Sequence, residues 1–119
     1  MKNRAINALI KMGMPADISG FRYIVEAMRL FDEPKWRYEK TTILYEEIAK
    51  MSNVKASNVE RAIRHAFSFT TKDTRVREEV ERYLPTKNTS NGNLLHVLYI
   101  KLKQEEEREN NPFHRTHCY

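Results

Sequence analysis

Between Ala56 and Phe67 the chain reads ASNVERAIRHAF. At helical spacing Val59, Ala62, Ile63 and Ala66 fall on one stripe. Asn58, Glu60, Arg61, Arg64, His65 and Ser68 are then left facing outward. These side-chain types suit hydrogen bonding to base-pair edges. An arginine can hold guanine O6 and N7 with two bonds, an asparagine can do the same for adenine, and a carboxylate can accept from the cytosine amino group. The pattern therefore predicts a helix that offers donors and acceptors to a duplex groove. An ordinary helical hairpin with a solvated charged face fits the same stripe and stands as the alternative.

A reading helix has to be held, and the residues before it look suited to that. The run TTILYEEIAKMS predicts a first helix, roughly Lys40 to Met51, that buries Ile43, Leu44, Ile48 and Tyr45. Thr41 or Thr42 is the expected cap. Helix-turn-helix units cross closely over a short turn. Ala49 is small enough for the crossing, and Asn53, four positions on, is the non-glycine type most at ease at positive φ. Val54 is expected as the apolar plug after the turn. Ser57 is expected to cap the second helix, with Glu60 three residues later completing a capping box. Lys55 in the turn, and Lys40 with the amides beside it, are candidates for phosphate contact, which fixes register without reading sequence.

Composition bounds the rest. The 119 residues are enough for one domain with a real core, and 40% hydrophobic with 31% charged residues is ordinary for a globular chain. Three glycines and four prolines leave long uninterrupted helical patterns, so an all-α fold is expected, with about six helices around the helix-turn-helix. A formal charge of +5 and a pI near 9.4 permit nucleic-acid binding without requiring it. No apolar run approaches the roughly 18 residues of a membrane span, and no secretory signal is visible. The lone Cys118 has no internal disulfide partner. Together these predict a reducing cytoplasm. No Gly-rich phosphate loop, paired acid/base carboxylates, nucleophile setting or HExxH motif is present, so neither an enzyme nor a cofactor is expected.

Residues 2–12 predict a first amphipathic helix with Ile6, Leu9 and Ile10 inward and Gly13 as its stop. GFRYIVEAMRLF predicts a second, capped by Ser19 or Asp17, with Tyr23, Ile24, Ala27, Met28 and Phe31 buried and Pro34 closing it. In the loop DEPKWRYEK, Trp36 is expected to fold onto the core. Asp73 or Thr74 starts RVREEVERYL, a structural helix with Val76, Val80, Tyr83 and Leu84 inward. The polar loop PTKNTSNGN leads to a last helix with Leu94, Leu95, Val97, Leu98, Ile100 and Leu102 as its apolar positions. Its early part is expected in the core or in a dimer contact, and its charged end in solvent. Residues 1–108 read as one domain and residues 109–119 as a polar tail. His114, His117 and Cys118 in that tail lack a fourth partner and metal-ligand spacing, so no metal site is expected.

The segment ASNVERAIRHAF resembles the recognition helix of the C-terminal effector domain of the stage-zero sporulation response regulator family. IKMGMPADISGFRYIVEAMRL at residues 10–30 resembles that family's first loop and second helix, and ILYEEIAKM at residues 43–51 its third. LLHVLYIKLKQE is similar to its last helix more loosely, so the likeness covers about residues 3–107. The resemblance implies a six-helix domain that binds a short DNA box with a TGTCGAA-like core. It further implies that the second motif helix enters the major groove and that domains bind tandem boxes head to tail. Lys55, Ser57, Asn58, Glu60, Arg61, Arg64 and His65 would then lie on the groove or backbone side. The family usually carries an arginine where this chain has Asn58, so a shift of preference toward adenine is expected. It also contacts activated RNA polymerase through the segment after the recognition helix, which here looks shorter and more polar. Its regulators carry a phosphorylatable receiver domain, and nothing in these 119 residues resembles one. The expectation is a DNA-binding transcription regulator without its own phosphorylation switch. A protein-interaction domain that kept the fold and modulates a related regulator is the other reading.

Overall fold

The computed structural model describes residues 1–110. The elements in chain order are α1 (Lys2–Lys11), α2 (Ser19–Phe31), α3 (Pro34–Arg37), α4 (Thr41–Ser52), α5 (Ala56–Thr71), a 3-10 turn (Thr74–Val76), α6 (Arg77–Tyr83) and α7 (Asn91–Glu109). No strand occurs among the described residues. The fold is all-α around a helix-turn-helix. The helix beyond the expected six is α3, a single turn that proline opens. Its fixed φ and missing N–H suit a first helical position, so Pro34 both stops α2 and starts α3.

α2 is the central rod and packs against α1, α3, α4, α5 and α7. Tyr23, Ile24, Ala27, Met28 and Phe31 are all buried, as the spacing predicts. α2 meets α5 at very close range. A Cβ on Gly20 would lie 2.3 Å from the Ala62 carbonyl oxygen and 2.6 Å from the Ala66 Cβ. Glycine facing alanines removes the side-chain layer that ordinarily separates packed helices.

Two helices end alike with different residue types. Gly13, at φ 81°, closes α1, and Asn53, at φ 56° and ψ 46°, closes α4. In each the amide of the left-handed residue and the next amide turn back on the last carbonyls: Gly13 to Ile10 and Met14 to Leu9, Asn53 to Lys50 and Val54 to Ala49. This is the Schellman closure, which needs a residue that tolerates positive φ.

Several expected faces are corrected. Ile10, Ile43, Val54 and Ile100 are exposed, and Val97 is half-buried, whereas Ala5 and Ala8 are buried; Tyr45 is buried as expected. Val54 is no plug: its contribution is the backbone amide that closes the turn. Trp36 does fold onto the core, 7% exposed. Ser19, Thr41 and Ser57 do not cap their helices; the flanking residues Ile18, Lys40 and Lys55 take the extended conformation that precedes the first turn. Asp73 does cap, accepting the Arg75 amide at 3.0 Å. The charged end of α7 does not simply run into solvent. Glu105 accepts from the Tyr83 hydroxyl at 2.7 Å and Glu109 from Arg4 at 2.6 Å, tying α7 to α6 and α1. His96 is structural, its ring nitrogens facing the Gly92 carbonyl at 2.8 Å and the Arg37 carbonyl at 3.3 Å. His114, His117 and Cys118 lie outside the described residues.

Candidate nucleic-acid interface

α4 and α5 form the motif. Ala49 is buried at the crossing, and the left-handed Asn53 turns the chain within Asn53, Val54 and Lys55. α5 then anchors through Val59, Ile63, Ala66 and Phe67, each at most 1% exposed, with Ala62 packed partly against the same core. Burying a large aliphatic or aromatic side chain contributes roughly 1.5–3 kcal/mol. The stripe therefore fixes which side of α5 faces away.

That outer side carries Lys55, Ser57, Asn58, Arg61, Arg64 and His65, all exposed, with Glu60 half-buried at its margin. All seven residues singled out from the sequence lie on or beside this one face. Their expected local arrangement needs one correction. Ser57 and Glu60 do not form a capping box. α5 starts at Ala56 behind an extended Lys55 (φ −82°, ψ 147°), so Ser57 is already helical, and no side-chain cap bond forms. A capping hydroxyl has to come from the non-helical residue before the first turn. Glu60 turns forward instead and pairs with Arg64 one turn on.

This pair differentiates the two arginines. Arg64 is 62% exposed yet held by Glu60. Arg61 and Lys55 have no ion-pair partner among the described residues, so their charge is available to an anion. Beside Arg64 a groove of about 320 Å³ runs between α5 and the start of α7, lined in part by Ser68, Thr71, Thr89 and Asn91. On the same helix, beyond His65, Phe69 is 51% exposed, and a second shallow surface joins it to Lys72 and Arg75.

One contributor was not found from the sequence. Asn91 in α7 donates through Nδ2 to the Glu60 carbonyl at 2.9 Å. The buried Tyr45 hydroxyl of α4 lies near the same carboxamide. Burial pushes the Tyr45 phenol above its ordinary range, and the neighbouring Asn91 carboxamide opposes that rise. The only signal in the sequence was an asparagine at the mouth of a polar loop, which by itself reads as turn chemistry. Among the described residues no cluster of histidine, cysteine and carboxylate side chains is placed to hold a metal ion. No described helix is long and apolar enough to cross a membrane.

A buried stripe on one side of α5, polar and cationic side chains on the other, and a left-handed asparagine closing α4 define an all-α helix-turn-helix domain. Residues 5–102 match the family described as Sporulation initiation factor Spo0A C terminal, and the chain belongs to that family. It is a family of sporulation-related DNA-binding effector domains rather than of enzymes.

Proposed function

We propose that this chain binds double-stranded DNA sequence-specifically and regulates transcription in connection with sporulation control, by placing the outer face of α5 in the major groove. The observation that carries this reading is the one-sided display of Asn58, Arg61, Arg64 and His65 on a helix whose opposite side is buried. Family membership supports it. Arg61 and Arg64 take guanine edges, Asn58 takes adenine, and Glu60 steadies Arg64 while keeping an oxygen for a cytosine amino group. Lys55 and Ser57 at the start of α5 contact phosphates, which position the helix, and His65 lies farther along on the groove or backbone side. Two copies pair on tandem short boxes. A contact with RNA polymerase belongs to the same proposal, and the exposed Phe69 suits it.

The test is selection of bound oligonucleotides from a random pool, followed by band shifts with Arg61→Ala and Arg64→Ala. The expected result is a short enriched box with adenine opposite Asn58. Each arginine variant should lose about 10- to 100-fold in affinity for it, as two bonds to a base contribute roughly 1–3 kcal/mol. Without enrichment, or with undiminished binding by the double variant, the groove-reading assignment fails and a protein-interaction domain takes its place.

A further inference from the structure

The start of α7 grips both helices of the motif. Asn91 Nδ2 donates to the Glu60 carbonyl at 2.9 Å, across 31 residues of sequence. That carbonyl sits early in α5, and a carbonyl oxygen has a second lone pair beyond the one used by the helix ladder. The buried Tyr45 of α4, 6% exposed, has its hydroxyl near the same carboxamide. Asn91 thus bonds α5 directly and lies close to α4. The next residue reinforces the contact: a Cβ on Gly92 would lie 2.9 Å from Thr41 Oγ1, so the backbone of α7 comes against the first residue of α4.

Among the described residues the Asn91 bond is the side-chain hydrogen bond that ties α5 to another helix, and the residues beneath α5 are mostly apolar. Burial of Val59, Ile63 and Ala66, with Gly20 close beneath, fixes the depth of α5 but is non-directional and leaves a small roll open. Hydrogen bonds do not, because they weaken steeply with misalignment. We propose that Asn91 is the positioning residue of the reading face: it sets the roll of α5 against α4 and so the direction in which Arg61 and Arg64 project. Its loss lowers discrimination between DNA sequences while leaving general DNA affinity in place. This rests on the DNA-reading assignment above. Contacts to phosphates tolerate a displaced helix because they carry no sequence information, whereas base contacts do not.

The test uses the full chain and three variants. Asn91→Asp keeps the shape and suits the first turn of a helix, but it has no N–H to give the Glu60 carbonyl. Asn91→Ala removes the group without adding charge. Tyr45→Phe removes the hydroxyl beside the carboxamide. Affinities for the selected box and for mixed-sequence DNA are measured over a salt series, with thermal unfolding of each variant alongside. The specific-to-mixed ratio is expected to fall about tenfold in both Asn91 variants, the scale of one lost hydrogen bond, and about threefold in Tyr45→Phe, which loosens the carboxamide's surroundings. The salt slope of Asn91→Ala should match the parent, and amide resonances of residues 60–65 should shift. A ratio for Asn91→Ala within about twofold of the parent overturns the proposal, being smaller than the loss of one such bond. So does a loss in Asn91→Ala that Asn91→Asp does not share, because the N–H donors would then be dispensable. If both Asn91 variants unfold, Tyr45→Phe decides, and an unchanged ratio there overturns it. Failure of the underlying DNA reading looks different: the parent enriches no box, or Arg61→Ala/Arg64→Ala binds it as the parent does, and this proposal falls with it.

Discussion

The Ala62 carbonyl oxygen occupies the space that a side chain on Gly20 would need. A Cβ built there would sit 2.3 Å from that oxygen, and the oxygen belongs to helix backbone that has no rotamer to change. α2 and α5 thus meet almost backbone to backbone, on the side of α5 opposite the exposed arginines. The depth at which α5 seats is set from beneath, by the absence of one methyl group.

Gly20→Ala is accordingly expected to destabilise the domain by at least the roughly 1–3 kcal/mol typical of overpacking, despite the gain in helix propensity. Urea unfolding would read this as a lower midpoint. A variant as stable as the parent would mean that α2 and α5 can separate without cost.

At Asn53 the backbone conformation and the side-chain type can be tested separately. Its φ of 56° lies in the left-handed region. Asn53→Ala should cost about 1 kcal/mol, because among residues that carry a Cβ asparagine enters the left-handed region most readily and alanine does not. Asn53→Gly should stay within a few tenths of a kcal/mol of the parent, since glycine suits a Schellman closure. Denaturant midpoints of the two variants should therefore separate, and equal midpoints would contradict the strain argument.

Glu60 restrains Arg64 on a surface otherwise rich in cations. Glu60→Gln releases that guanidinium and removes one negative charge. Stability should change by no more than about 0.5 kcal/mol, because exposed helix pairs contribute little. Affinity for mixed-sequence DNA should rise, and the slope of log K against log salt should steepen by up to about 0.9, the increment for one additional phosphate contact. An unchanged slope would show that Arg64 never reaches the backbone.

Alkaline pH should loosen the packing of α6 on α7. Burial, with the hydrogen bond to Glu105, pushes the Tyr83 phenol up to about 12. Tyr45 and Tyr99 are shifted in the same direction, chiefly by burial. The neutral phenol is the form favoured by the fold. Its contribution is therefore complete below the unfolded value of about 10 and is lost as pH rises through the folded value. Unfolding free energy should fall by roughly 1–3 kcal/mol over that window. Tyr83→Phe should flatten the decline, measured by denaturant titrations at several alkaline pH values.

Much of the reading face was legible because it depends on local geometry. A helix repeats every 3.6 residues, so Val59, Ile63 and Ala66 inward forces Asn58, Arg61, Arg64 and His65 outward wherever the helix docks. Asn53 was legible because few residue types tolerate its backbone conformation, and Trp36 because a large apolar ring has much to gain from burial. Helix starts were harder. Ser19, Thr41 and Ser57 are good capping types, but a cap needs the non-helical residue, and here that is the preceding one. The tertiary structure decided that shift.

Which apolar residues stay exposed was likewise a tertiary outcome. Ile10, Ile43 and Ile100 lie on helices whose other faces are covered, and periodicity shows a face without showing how far around it a neighbour reaches. The contacts that hold the interface belong to the same class. Gly20 beneath Ala62, and Asn91 on the Glu60 carbonyl, join residues dozens of positions apart. The sequence by itself determined the helices and the outward chemistry of α5, since those follow from bonds and spacing within a few turns. Only the packed chain decided how deeply α5 seats and which way it is rolled, because both depend on atoms brought together from separate helices.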